Sequence, residues 1–170
     1  INERFRINFK ECSDEELINA WCSVKDYMVK GEEKGLQSLT FFEILFFMGM
    51  LIFSQKAVDY CILETGLGGR LDATVLSNPV LSVITSISYD HTEILGDTIE
   101  QIAAEKAGII KEGIPVVAID EENGAFSVIE RTAKEKNAPV YGLKSQELTI
   151  LKKCENTIDF SINSRYYKIS

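Results

Sequence analysis

The chain has a single histidine, no Cys-x-x-Cys pair, no surplus of positive charge and no apolar run long enough to cross a bilayer. Each lack removes a class of protein. The four cysteines (Cys12, Cys22, Cys61 and Cys154) show no paired spacing, and Cys61 falls inside a predicted buried strand, so core or surface thiols in a reducing cytoplasm are expected. A formal net charge of −8 argues against nucleic acid as the main partner, although local clusters can still bind an anion such as a nucleotide. The most hydrophobic segment, 39–53, carries Glu43 and is shorter than the roughly 20 residues of a membrane span, so no membrane partner is expected. No secretory signal opens the chain, and neither does an initiator methionine; Ile1 starts without a cap or turn signal, as a fragment would. There is no phosphate-binding loop of the form G-x-x-x-x-G-K-[ST], no internal repeat and no low-complexity segment.

What is present suits one folded domain. With 170 residues, 45% of them apolar and 26% charged, the chain can bury a sizeable core and remain soluble. Residues 1–10 alternate apolar and polar (Phe5, Ile7, Phe9), predicting a short strand or extended segment. Ser13-Asp-Glu-Glu16 and Thr40-Phe-Phe-Glu43 are capping boxes. The first opens a helix to about Lys30 that should bury Leu17, Ala20, Trp21, Val24 and Met28; the second opens one to about Ser54, apolar nearly all round and so expected between layers. Val58-Asp-Tyr-Cys-Ile-Leu63 reads as a buried strand emptying into a glycine-rich loop.

Further strands are predicted at 81–88, 114–119 and 138–141. A helix is capped by Asp97 or Thr98 and stopped by Gly108 at C′, and another covers 123–136. This alternation predicts an α/β fold: a three-layer, mostly parallel sheet with helices on both faces. The tail instead alternates apolar and polar in three stretches separated by Glu155-Asn156 and Asn163-Ser164, predicting a small antiparallel meander. The expected organisation is one domain, with residues 1–142 as the α/β core and 143–170 as a β appendage.

The chemical centre should lie at Glu64-Thr-Gly-Leu-Gly-Gly-Arg-Leu-Asp-Ala-Thr74, because ligands of open α/β sheets bind beyond the carboxyl ends of strands. Tyr89-Asp90-His91 ends a second strand at the same edge. A carboxylate closing an interior strand is costly without a cation beside it, so Glu64 is a candidate metal ligand. His91 is equally a ligand or an ordinary histidine. Gly66-Leu-Gly-Gly69 is no dinucleotide fingerprint, since the third glycine position falls on Leu71; taken alone it is more often a structural turn. Lys106, taken alone, is a lysine that suits the negative end of its helix.

In order, Leu39-Thr-Phe-Phe-Glu43, the Glu64–Thr74 motif, Ser82-Val-Ile-Thr-Ser-Ile, Asp90-His-Thr-Glu-Ile-Leu-Gly96 and Glu105-Lys-Ala-Gly-Ile-Ile-Lys111 resemble the folylpolyglutamate synthase/dihydrofolate synthase branch of the Mur ligases, densely over residues 1–118. The resemblance implies an ATP- and magnesium-dependent enzyme of folate biosynthesis and one-carbon metabolism. It would join L-glutamate to a folate or to dihydropteroate through an acyl phosphate, as a cytoplasmic monomer. It assigns Mg2+ to Glu64 and His91, a carbamylated lysine to Lys106, and the pterin pocket to Thr40, Phe42, Asp72 and Ala73. The family's P-loop would lie before Ile1 and its glutamate-binding domain after Ser170, so this piece alone should be inactive. Val75 stands where the family usually has Asn, which puts one polar contact in question. The rivals are another Mur-type peptide ligase and a non-catalytic metal- or nucleotide-binding module.

Overall fold

The computed structural model describes residues 1–144, 148–154, 157–162 and 165–169. The chain forms two compact units, 1–66 and 67–170.

In the first unit, two short strands, β1 (Arg6–Ile7) and β2 (Lys10–Glu11), pair antiparallel across a two-residue turn at Asn8-Phe9. Both turn residues have positive φ (50° and 66°), the mirror-image turn that suits the twist of a hairpin. The alternation of residues 1–10 breaks here: Phe5 is buried, but Phe9 sits at the turn tip, 93% exposed. Helix α1 (Asp14–Glu32) starts at the Ser13–Glu16 capping box and helix α2 (Phe41–Gln55) at the Thr40–Glu43 box, both as the sequence predicts. They share a core of Phe5, Leu17, Ala20, Val24, Met48 and Ile52, with Phe5 laid against Gly49 of α2. Trp21, predicted to lie on the buried stripe, is exposed instead. Lys56, just past α2, pairs with Glu16 at the start of α1.

The predicted strand at Val58–Leu63 does not form. No strand pairs with it among the described residues, and without a ladder an extended segment leaves its N–H and C=O groups to water. Tyr60 is 83% and Ile62 96% exposed, and Cys61 is exposed rather than inside a buried strand.

The second unit is built on a parallel sheet, β3 (Ser82–Ile84), β4 (Val116–Ile119) and β5 (Val140–Leu143), in that order. Ser82 aligns with Val116, and Val116 with Val140. The strand predicted over 81–88 is confined to three residues. Ile84, Val116 and Ala118 face a core made with helices α4 (Ile99–Ala107) and α5 (Ala125–Glu135), where Ile102, Ala103, Ile110 and Ile129 are almost wholly buried. On the other side of the pleat, Val83 and Tyr141 are exposed. A one-turn helix, α3 (Thr92–Leu95), precedes α4, and Thr98, not Asp97, caps α4 in a box with Gln101. The appendage is an antiparallel meander of β6 (Leu148–Lys153), β7 (Ile158–Ile162) and β8 (Arg165–Ile169), with a register shift between Ile150 and Lys152. Phe160 stacks on Tyr167, with centroids 5.4 Å apart. The predicted separators Glu155-Asn156 and Asn163-Ser164 lie outside the described residues. The α/β class, with a parallel sheet, helices and an antiparallel appendage, is as the sequence predicts. Among the described residues no helix is long and apolar enough to cross a membrane.

Candidate active site

The glycine-rich loop of the second unit is a folded object. Asp72 is buried, and its carboxylate accepts from the Thr74 N–H (2.9 Å), the Thr74 hydroxyl (2.7 Å) and the Leu67 N–H (3.2 Å). It thereby caps the 3-10 turn Ala73–Leu76 and closes the loop on itself. Gly68 is left-handed (φ 65°), and a Cβ there would lie 2.9 Å from Leu95 of α3. A Cβ on Gly69 would lie 2.8 Å from the carbonyl oxygens of Glu105 and Lys106. The loop therefore rests between α3 and the last turn of α4.

That last turn carries Lys106, half-buried, whose ammonium has no hydrogen bond or ion pair among the described residues. The stop at Gly108 works differently from expectation. Its φ is −58°, ordinary helical backbone, so no left-handed cap calls for glycine. Glycine is needed because Arg70 passes so close that a Cβ would lie 2.6 Å from its backbone nitrogen. Arg70 N–H donates to the Glu105 carbonyl (2.9 Å), and its guanidinium pairs with the Glu105 carboxylate at 2.9 and 3.0 Å. At the other end of the loop, the Lys111 ammonium donates to the Val75 carbonyl at 2.6 Å. That bond uses only the backbone of residue 75, so it is indifferent to Val in place of Asn. Sequence reasoning placed Arg70 and Lys111 inside motifs but assigned them no partner; the available signal was that Arg70 lies between Glu64 and Asp72 and that Lys111 closes the motif carrying Lys106.

His91 begins α3 with left-handed backbone (φ 50°), uncommon for a residue with a side chain and frequent at functional sites. Its imidazole is exposed, with Nε2 3.7 Å from Asp90. It follows β3 by seven residues, so the site is set by the loop after the strand rather than by a strand end.

The remaining candidates belong to the first unit. Thr40 caps α2: its hydroxyl donates to Glu43 (2.8 Å) and accepts from the Glu43 N–H (3.3 Å). Phe42, the second residue of α2, lies against Gly66, where a Cβ would lie 2.7 Å from the ring. Glu64 is exposed at the end of an irregular segment, not buried at the end of a strand, so its carboxylate carries no desolvation cost that would demand a cation. Among the described residues no group of three or more His, Cys, Asp or Glu side chains gathers as a metal cluster. The seven candidates thus divide between the units: Thr40, Phe42 and Glu64 in one; Asp72, Ala73, His91 and Lys106 in the other.

Known proteins are similar to this chain in sequence and in fold. A profile of the Mur ligase middle domain matches residues 15–169. The dihydrofolate synthase/folylpolyglutamate synthase of Bacillus subtilis is 44% identical over 143 residues, covering 84% of this chain and 33% of its own. Among solved structures, an FPGS–AMPPCP–folate complex superposes with a TM-score of 0.84 at 30% identity, over 98% of this chain and 42% of that one. E. coli FolC in complex with DHPP and ADP superposes at 0.77 and 31% identity, over 98% and 38%. The chain spans about a third of the length of the B. subtilis relative. With the family profile running over nearly the whole chain, and with a fold shared with these structures, the chain belongs to the Mur ligase family through its middle domain.

Proposed function

We propose that the full-length protein containing this chain is an ATP-dependent ligase that adds L-glutamate to a folate, to dihydropteroate, or to both. The observation that carries this reading is the 44% identity, over 84% of the chain, to a dihydrofolate synthase/folylpolyglutamate synthase. The ligands of the structural relatives, an ATP analogue with folate in one and DHPP with ADP in another, are those the reaction needs. In this reaction an oxygen of the acceptor carboxylate attacks the γ-phosphorus of ATP and ADP leaves. The glutamate amine then attacks the acyl carbon, inorganic phosphate leaves, and the nitrogen gives up a proton as the amide forms.

On this reading Phe42 would offer an aromatic face and Asp72 a carboxylate to a flat, hydrogen-bonding heterocycle, and Thr40 and Ala73 are the other residues assigned to that substrate. Glu64 and His91 are the residues that would hold Mg2+. Two protein donors, one of them a carboxylate, suit a cation that keeps several waters and takes its other ligands from phosphate, and they would not make a structural zinc site. When bound, Mg2+ neutralises phosphate charge in a protein that is itself acidic. Lys106, with no partner for its ammonium among the described residues, is the residue that would carry a carbamate, exchanging a cation for an anion. We assign residues 1–142 to the α/β core and 143–170 to the appendage of one domain. The whole enzyme is proposed to be a cytoplasmic monomer.

The test offers the full-length protein ATP, Mg2+ and glutamate with dihydropteroate or tetrahydrofolate separately, following ADP release and acceptor mass. A gain of one glutamate on either acceptor is the expected result and identifies which is used. ADP release from neither acceptor overturns the reading and turns attention to another Mur-type acceptor.

A further inference from the structure

The geometry points to Arg70, Glu105 and Lys111 as positioning residues that clamp the loop bearing Asp72 onto the helix turn bearing Lys106. This deepens the proposed ligase reading and rests on it. The loop is pinned on both sides of Asp72. At residue 70 its N–H donates to the Glu105 carbonyl in the last turn of α4, which also accepts from the Gly108 N–H, and the Arg70 guanidinium grips the Glu105 carboxylate through two nitrogens. At residue 75 its carbonyl accepts from Lys111. Between these pins, Asp72 is immobilised by its three acceptor bonds within the loop. On the helix, Lys106 lies between the same pins, one residue after Glu105 and five before Lys111. Gly69 and Gly108 allow the two backbones to touch, so the clamp has no slack that side chains could fill.

The Arg70–Glu105 pair is largely solvent-exposed, 57% and 27% for the two side chains, and an exposed pair adds little to folding stability. Its consequence is geometric: it holds Asp72, and through it the acceptor, in register with Lys106. A small misplacement of groups that must meet in a transition state costs rate out of proportion to its effect on folding.

The experiment uses the full-length enzyme with Arg70→Glu, Glu105→Arg, the double exchange, Arg70→Lys and Lys111→Met. For each, KM of the acceptor, KM of ATP, kcat, melting temperature and the fraction of Lys106 carrying the CO2 adduct by native mass spectrometry are measured. Each single reversal and Lys111→Met should raise the acceptor KM and lower kcat, together by about tenfold to a hundredfold in kcat/KM, with the ATP KM and melting temperature nearly unchanged. Arg70→Lys should recover part of the loss, and the double exchange should recover most of it. A double exchange no better than the two singles combined, or a loss confined to melting temperature, overturns the clamp. Should the wild-type enzyme ligate glutamate to neither acceptor, the functional reading fails by itself. The clamp is then judged by hydrogen exchange. Slow exchange of the Arg70 amide that quickens in Lys111→Met supports it, and equal exchange in both overturns it.

Discussion

Gly108→Ala sets two opposite effects against each other, and the structure decides which wins. Gly108 has helical backbone (φ −58°, ψ −20°), and alanine is the better helix former there by about 1 kcal/mol. On propensity alone the substitution stabilises. The added methyl, however, would lie 2.5 Å from Arg70 Cβ and 2.6 Å from its backbone nitrogen, well inside the 3.4 Å at which ordinary contact begins. Backbone on both sides must yield, at the roughly 1–3 kcal/mol typical of overpacking. Moving the loop away also weakens the Arg70 N–H bond to Glu105, worth about 0.5–1.5 kcal/mol. The net expectation is a loss of about 1–3 kcal/mol, or a fall in melting temperature of roughly 2–10 °C for a chain of this size. Gly31→Ala is the control. Gly31 lies in the last turn of α1, and its Cβ would meet only Leu36 at 3.6 Å, so the same substitution should stabilise by up to about 1 kcal/mol. Thermal denaturation followed by circular dichroism, with hydrogen exchange at Arg70, reads both variants. If Gly108→Ala proves as stable as Gly31→Ala, the close-approach reasoning is wrong.

Two further predictions concern the first unit. Phe9 holds a left-handed conformation at a hairpin tip with its ring in solvent, so Phe9→Gly relieves backbone strain and removes no packing. Set against the greater entropy of glycine in the unfolded chain, a net gain of about 0.5–1 kcal/mol is expected in urea denaturation, and a loss would refute the strained turn. The Glu16 carboxyl is held down to about 2 by the ammonium of Lys56 and by the N–H and hydroxyl of Ser13. A depressed acid stabilises the fold above its ordinary value of 4.5 and loses that contribution as pH falls towards 2. Acid titration should therefore loosen the α1–α2 unit between those values, and Glu16→Gln should flatten the profile there; an unchanged profile would remove Glu16 as the cause.

Local signals proved legible where the chain needed only itself. Two helix starts were legible as capping boxes and a third was narrowed to Asp97 or Thr98, because the bonds that satisfy a helix N-terminus come from residues three apart in sequence. The meander followed from alternation, as period-two patterns are also local. Val58–Leu63 shows where this stops: its composition is that of a buried strand, but a strand is a relation between two segments, and no composition supplies the second. Phe9 fails in the same way, since an apolar residue in alternation looks the same whether it points inward or turns the chain. Within the site, Asp72, His91 and Lys106 were marked out by motif, but the burial of Asp72 and the exposure of Glu64 were not.

The sequence by itself determined the α/β class, the starts of the two long helices, the family and the residues around which chemistry is sought. All of these depend on short-range patterns or on motifs read in their order along the chain. Only the tertiary structure decided why Gly69 and Gly108 must be glycines and which residues Arg70 and Lys111 hold. Those answers depend on two backbones, more than thirty residues apart in sequence, approaching more closely than a side chain allows, and that approach exists only once the loop has folded against its helix.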